Sequence, residues 1–224
     1  MKKVRWEEIM TVAARLFCEK GYMATTMDDI AAELYITKPA LYYYIRTKHD
    51  LLYEICEAAI KRLMEGVESI EASGGTPEER FRELVRWQIN MFSEHGDIIN
   101  VYLADESELP TEKREYIRGL SREYESIYRE LVRELIDEGT FREMNIPMAV
   151  RAISGMCNWL SNWYRPEGKM TADAIADLFL DLIFNGFRSD AAIPGASAGA
   201  KSGRGAKTPA RPKAVAAQAA ARKR

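Results

Sequence analysis

Apolar residues recur at helical spacing along almost the whole chain, and Gly, Pro and capping residues punctuate them. Ile9, Val12, Ala13, Leu16 and Phe17 mark one face of a first helix over Val4 to Lys20. Gly21 ends it, because glycine tolerates the left-handed geometry of a helix C-terminus. Thr25 or Thr26 caps a second helix with Asp28 and Asp29 in its first turn, where the helix dipole favours acids. Met27, Ile30, Ala31 and Leu34 give it an inner face. Thr37 caps a short third helix, with Pro39 in the first turn, where a missing N–H costs little. Leu41 and Ile45 point inward there. Lys38, Pro39, Ala40, Tyr43 and Tyr44 are left to project outward.

The pattern stays helical beyond Lys48. His49 to about Ser73 reads as one long helix, broken by Gly74 and Gly75. Thr76 caps the next, which starts at Pro77 and breaks at Gly96 and Asp97. A short helix through Ile98, Val101 and Tyr102 follows, ending at Leu109-Pro110. Thr111 caps a long helix to about Glu138, striped by Ile117, Leu120, Tyr124, Ile127, Leu131 and Leu135, and closed by Gly139. Asn145 caps a helix that ends near Pro166, and Thr171 caps a last one to about Arg188. The expected fold class is all-α: a three-helix helix-turn-helix domain over 1–48, then a helical domain of about six helices over 49–188. Residues 189–224 are rich in Ala, Gly, Pro and Lys/Arg, contain no aromatic residue, and are expected to form a disordered basic tail.

In a helix-turn-helix pair the second helix reads base edges while the first crosses the backbone. Three consecutive tyrosines, Tyr42 to Tyr44, cannot all be buried on one short helix, and Lys38 and Lys48 lie beside them. Exposed aromatics next to lysines favour binding over an inert aromatic surface. Residues 9–52 resemble the TetR family of bacterial transcriptional repressors. The matching pattern is Ala13-Ala14, Leu16-Phe17, Gly21-Tyr22, Thr25-Thr26, Asp29-Ile30-Ala31, Thr37 to Tyr42, Lys48 and Leu51-Leu52. The resemblance implies that Thr26, Tyr42 and Lys48 hold phosphates, and that Thr37, Lys38, Pro39, Ala40, Tyr43 and Tyr44 lie near bases or groove walls. Two positions depart from the family: Tyr35 stands where a glycine usually makes the turn, and His49 where an acid usually follows the lysine.

Charge sharpens this division. Residues 1–48 hold eight Lys/Arg against six Asp/Glu, residues 49–188 sixteen against twenty-seven, and residues 189–224 eight against one. A mildly basic head on an acidic body suits a protein that touches phosphates at one end only. The tail is read either as a solubilising segment or as a basic arm adding non-specific DNA affinity. No apolar run approaches 18 residues and no leader is visible, so a cytoplasmic protein with no membrane contact is expected. Cys18, Cys56 and Cys157 are scattered, which argues against a disulfide framework or a zinc site. Cys157 is either a redox sensor or a small buried apolar residue. With only His49 and His95, no nucleophile motif and no metal-ligand cluster, no enzymatic activity, cofactor or metal is expected.

Trp159 and Trp163, four residues apart beside Asn158 and Asn162, are the strongest sequence clue to a pocket; the alternative is that both anchor the core or a dimer interface. This stretch, with Glu138 to Phe141, is similar to the TetR subgroup that senses acyl-CoA thioesters. Such a ligand needs an apolar channel and cations for its phosphates. Trp87, Phe92, Trp159 and Trp163 are the apolar candidates. Arg114, Arg118 and Arg122 form a basic stripe that is otherwise a solvated face paired with Glu115, Glu123 and Glu125. The resemblance implies a homodimer joined through its last two helices, a palindromic double-stranded DNA operator, and a small-molecule effector, an acyl-CoA. The rivals are a repressor sensing a hydrophobic drug-like ligand and a weakly specific architectural DNA-binding protein.

Overall fold

The computed structural model describes residues 6–187; the expected start of the first helix at Val4 and the expected tail lie outside them. The head is α1 (Trp6–Lys20), α2 (Met27–Glu33) and α3 (Lys38–Tyr44). Gly21, at φ 86°, turns the chain after α1. Of the two threonines that follow, Thr26 is the cap: its side chain accepts from the Asp29 N–H while the Asp29 carboxylate accepts from the Thr26 N–H. Thr25 is fully buried instead, and its hydroxyl lies 3.1 Å from the Leu16 carbonyl and 2.9 Å from that of Gly21.

The turn between α2 and α3 keeps the glycine-type geometry without glycine. Tyr35 sits at φ 56°, in the left-handed region. Its N–H donates to the Ala32 carbonyl and the Ile36 N–H to the Ala31 carbonyl, both at 3.0 Å. This pair of bonds, 5→2 and 6→1, is a Schellman motif. Ile36 packs on the core beyond it.

The body is α4 (Lys48–Ser73), α5 (Pro77–Asp105), a 3-10 turn (Glu106–Glu108), α6 (Thr111–Asp137), α7 (Ile146–Asn158), α8 (Leu160–Trp163) and α9 (Ala172–Phe187). The expected break at Gly96 is a kink, with His95 at φ −137°, ψ 32° inside α5. The helix beginning at Asn145 is interrupted at Trp159, where the Asn162 N–H reaches the Trp159 carbonyl and tightens the turn. Thr111 is the first residue of α6 rather than its cap; Pro110 holds that position and has no side chain able to accept.

Helix α5 is the axis of the molecule, packing on α1, α4, α6, α8 and α9. At its start, Phe81 makes edge-on contacts with Tyr128 of α6, Phe141, and Phe184 of α9, at centroid separations of 6.1, 5.8 and 5.9 Å. The head is tied directly to this axis: α1 packs on α5, and the Cys18 thiol contacts the Asp97 carbonyl at 3.5 Å. The expected domain boundary at residue 48 therefore falls inside the first turn of α4, with no linker. Cys157 is fully buried in the core, and burial pushes its thiol up to about 12.

Candidate nucleic-acid interface and effector cavity

The outer side of α3 carries the groups the sequence places there. Thr37 caps the helix through Ala40 N–H at 3.4 Å. Tyr42, Tyr43 and Tyr44 are all exposed, Tyr43 by 87%, and the rings of Tyr43 and Tyr44 meet edge-on at 5.5 Å. Leu41 and Ile45 anchor the inner side. Lys38, Pro39 and Ala40 lie at the N-terminal end of this surface, with Lys38 donating to Asp28 at 2.6 Å across the two helices.

Two of the expected phosphate ligands are already occupied. The Thr26 hydroxyl is locked into the capping box with Asp29, whose carboxyl is held well below the usual range first by Lys20 and then by Thr26. The Lys48 ammonium donates to the carbonyls of Tyr22 at 2.8 Å, Met23 at 3.2 Å and Thr25 at 2.8 Å, and sits 4.4 Å from the centre of the Tyr22 ring. An ammonium has three N–H groups, so none remains for a phosphate. In this arrangement Lys48 braces the α1–α2 turn against α4.

Charge pairing in the head reveals a residue the sequence reading missed. Arg15 pairs with Glu19 and Glu33, Lys20 with Asp29, and Lys38 with Asp28. Arg46, exposed in the turn after α3, has no such partner among the described residues. Thr47 beside it caps α4, accepting from Asp50 N–H at 3.0 Å. An unpaired cation next to a reading helix was legible only once the pairings of the others were known.

The body holds a half-open cavity of about 350 Å³ between α4, α5, α6 and α7. Leu63, Phe92, Ile99 and Leu103 supply apolar wall; Gln88, Asn158, Tyr102, Ser121, Tyr124 and Ser154 supply polar groups; Glu125 and the exposed Arg151 complete it. Of the expected ligand residues, Phe92 and Asn158 line it. Trp87 does not: its indole lies against Gly66, filling the space between α5 and α4. Arg114 donates to the Ser107 carbonyl, and Arg118 pairs with Glu106 and Glu115, so both hold the surface of α6. Arg122 is exposed and is likewise absent from the wall. Asn162 belongs to a separate groove between α1, α5 and α8, whose acids Glu19, Glu94, Asp97 and Asp105 oppose an anionic ligand. Trp159 and Trp163 are 63% and 45% exposed and line neither space. The helical stripe they extend begins at Met148, and Leu178 and Leu182 of α9 are exposed as well.

A helix-turn-helix head on a separate helical body is the architecture of a DNA-binding transcriptional regulator. The chain belongs to the TetR family: residues 9–55 match the model for bacterial regulatory proteins of the tetR family, and residues 74–187 that for the tetracyclin repressor-like C-terminal domain. The HTH-type transcriptional repressor KstR2 of Rhodococcus jostii is 26% identical over 190 residues, covering 84% of this chain and 93% of its own. Among solved structures, the TetR-family regulator PfmR from Thermus thermophilus is 34% identical with a TM-score of 0.74, over 79% of this chain and 97% of that one. AibR, solved in complex with isovaleryl coenzyme A and operator DNA, is 28% identical with a TM-score of 0.74, over 81% and 98%.

Proposed function

We propose that this regulator is a homodimeric, effector-released repressor acting in the cytoplasm, whose effector is an acyl-CoA thioester with its acyl part in the α4–α7 cavity. The observation that carries the reading is the cavity itself: its α4 wall belongs to the helix that begins, at Lys48, against the head. Leu63 in the cavity wall and Lys48 on the head turn lie on one continuous helix. A ligand that displaces Leu63 therefore tilts the helix that carries the head. Recognition helices of a dimer must sit about one DNA turn apart, roughly 34–36 Å, to engage both halves of a palindrome. A shift of that separation loses simultaneous docking, which couples effector to DNA in both directions.

DNA contacts are assigned to Thr37, Lys38, Pro39, Ala40, Tyr42, Tyr43 and Tyr44, with Arg46 as a phosphate contact and Thr26 presenting the α2 N-terminus. The dimer forms through the exposed apolar faces of α7–α8 and α9, which gives Trp159 and Trp163 their place. Leu182→Glu is expected to give a monomer in sedimentation with its helical spectrum intact; an unchanged dimer would move the interface elsewhere. AibR's complex with isovaleryl coenzyme A supports a CoA ester. A second reading, a hydrophobic ligand without CoA, has one observation in its favour: among the described residues, Arg151 is the single cation lining the cavity.

A thermal-shift and operator-release screen separates the two. Acyl-CoA thioesters, free CoA and the free acids are compared at fixed protein concentration, since binding to the native state raises apparent stability with ligand excess. A shift with a thioester that also releases operator, absent with free acid and free CoA, is expected. Release by uncharged hydrophobes and by no thioester would replace the CoA reading with the second.

A further inference from the structure

One wall of the cavity is built on a hydrogen-bond chain with a direction. Tyr128, fully buried on α6, donates its O–H to Oε1 of Gln88 at 2.5 Å. Gln88, 5% exposed on α5, then donates Nε2–H to Oδ1 of Asn158 on α7 at 3.0 Å. A phenol has one proton and an amide one oxygen and one NH₂. Committing the Tyr128 proton to the Gln88 oxygen turns the Gln88 nitrogen towards Asn158, and Asn158 must answer with its oxygen. Its NH₂ is the group left over, on a half-buried residue that lines the cavity.

The other hydroxyl pair in the wall offers no such donor. Ser121 gives its proton to the Ile117 carbonyl at 2.9 Å. Tyr102, 2.8 Å from the Ser121 oxygen, is therefore the donor of that pair, and its proton is committed too. Tyr124, which also lines the cavity, is buried with its ring edge-on to that of Tyr128 at 5.7 Å. The Asn158 NH₂ is thus the amide donor left over at a cavity whose apolar wall is formed by Leu63, Phe92 and Ile99.

We infer that the cavity selects effectors carrying a carbonyl oxygen on an apolar body, that the Asn158 amide nitrogen donates to that oxygen, and that Tyr128 and Gln88 act as positioning residues that orient the amide. The inference rests on the reading of this cavity as the effector site but not on CoA. The chain of bonds accounts for the two buried polar side chains, Tyr128 and Gln88, since an unpaired polar group there is costly, and the relay leaves free only the Asn158 end.

The test uses the full-length chain and ligand pairs that differ by one carbonyl. One pair is a medium-chain acyl-CoA thioester against the S-alkyl-CoA thioether of equal length. The other is a medium-chain methyl ketone against the branched alkene in which a CH₂ replaces the oxygen. Affinities are read by titration calorimetry or competition. Whichever pair binds, its carbonyl member is expected to bind about three- to tenfold tighter, the size of one net hydrogen bond. Asn158→Leu and Tyr128→Phe should bring that ratio towards one, whereas a merely structural role would weaken both members alike and leave the ratio in place. Asn158→Asp, which puts acceptors in place of the donors, should invert the preference and guards against a variant that fails to fold. Equal affinities within a pair that binds, or a ratio untouched by Asn158→Leu and Tyr128→Phe, would overturn the inference and leave the CoA reading standing. Binding of the ketone pair alone would remove CoA and keep the inference. Binding of neither pair would overturn both.

Discussion

Replacing Tyr35 by glycine should make this protein more stable. Tyr35 holds φ 56° at the turn between the two helices of the DNA-binding motif, and its side chain is 87% exposed. A side chain in left-handed geometry costs roughly 1–2 kcal/mol through contact of its Cβ with the following carbonyl. Glycine escapes this cost but loses more backbone freedom on folding, a penalty of roughly 0.5–1 kcal/mol. With so little side-chain burial to forfeit, the balance favours Tyr35→Gly by about 0.5–1 kcal/mol. For a chain of this size that corresponds to a rise in Tm of roughly 1–4 °C. Calorimetry or urea denaturation at fixed protomer concentration measures it, with Tyr35→Asn expected to fall between and Tyr35→Val to be the least stable of the series. The two Schellman bonds from Tyr35 and Ile36 are made by the backbone and persist in all variants. A loss of stability in Tyr35→Gly would refute the reasoning, because it would mean that the exposed ring holds the turn.

Lys48→Ala should cost about 1–3 kcal/mol of stability, as expected for ammonium–carbonyl bonds left without their donor, and should leave the salt slope of operator binding nearly unchanged. Arg46→Ala should do the reverse, with wild-type stability and a slope smaller by about one unit; exchanged outcomes would restore Lys48 as the phosphate ligand. Gly66→Ala should destabilise by about 1–3 kcal/mol despite the better helix propensity of alanine, since its Cβ would lie 1.9 Å from the Trp87 indole nitrogen; a wild-type Tm would show that the indole has room to move. Partial burial, and then the nearby Arg62, lowers the pKa of His95. Its contribution to stability is therefore complete above the unfolded-state value near 6.5 and is lost as pH falls through the folded value. Urea midpoints between about pH 7 and pH 5 should decline less in His95→Gln than in the parent chain, and parallel declines would place the pH response in another group.

The helical scaffold could be read from the sequence because local signals and tertiary burial agree in it. Thr26, Thr37, Thr76 and Asn145 cap helices where a short side-chain acceptor precedes an apolar period. The deviations arise where one local signal is overruled by packing. Gly96 looks like a helix stop, yet apolar residues on both sides, Phe92 and Ile98 among them, are buried in the same core, so the chain bends at His95 and continues. Thr111 looks like a cap, but Pro110 had already fixed the extended geometry one residue earlier.

The exposed side of α3 was legible for a related reason: on a short helix with Leu41 turned inward, outward residues are set by periodicity alone. The cavity was not, because its walls come from four helices whose phases about their own axes no local pattern fixes. Large aromatics drew attention to Trp87, Trp159 and Trp163, although size alone does not distinguish a ligand wall from a helix–helix filler or an exposed interface. The indole of Trp87 meets a glycine on the neighbouring helix, a match between positions 66 and 87 that exists only in three dimensions. What distinguishes the cavity wall is polar chemistry that distant residues must satisfy jointly: Gln88 makes sense only with Tyr128 forty positions away and Asn158 seventy positions away. On the helical wheel of α5 alone, Gln88 is a polar residue interrupting an apolar face; placed between a phenol and an amide, it is what orients the Asn158 NH₂. In this helical body a buried polar residue that breaks an apolar stripe, Gln88, marks the cavity wall, whereas the tryptophans Trp159 and Trp163 that extend a stripe do not line it.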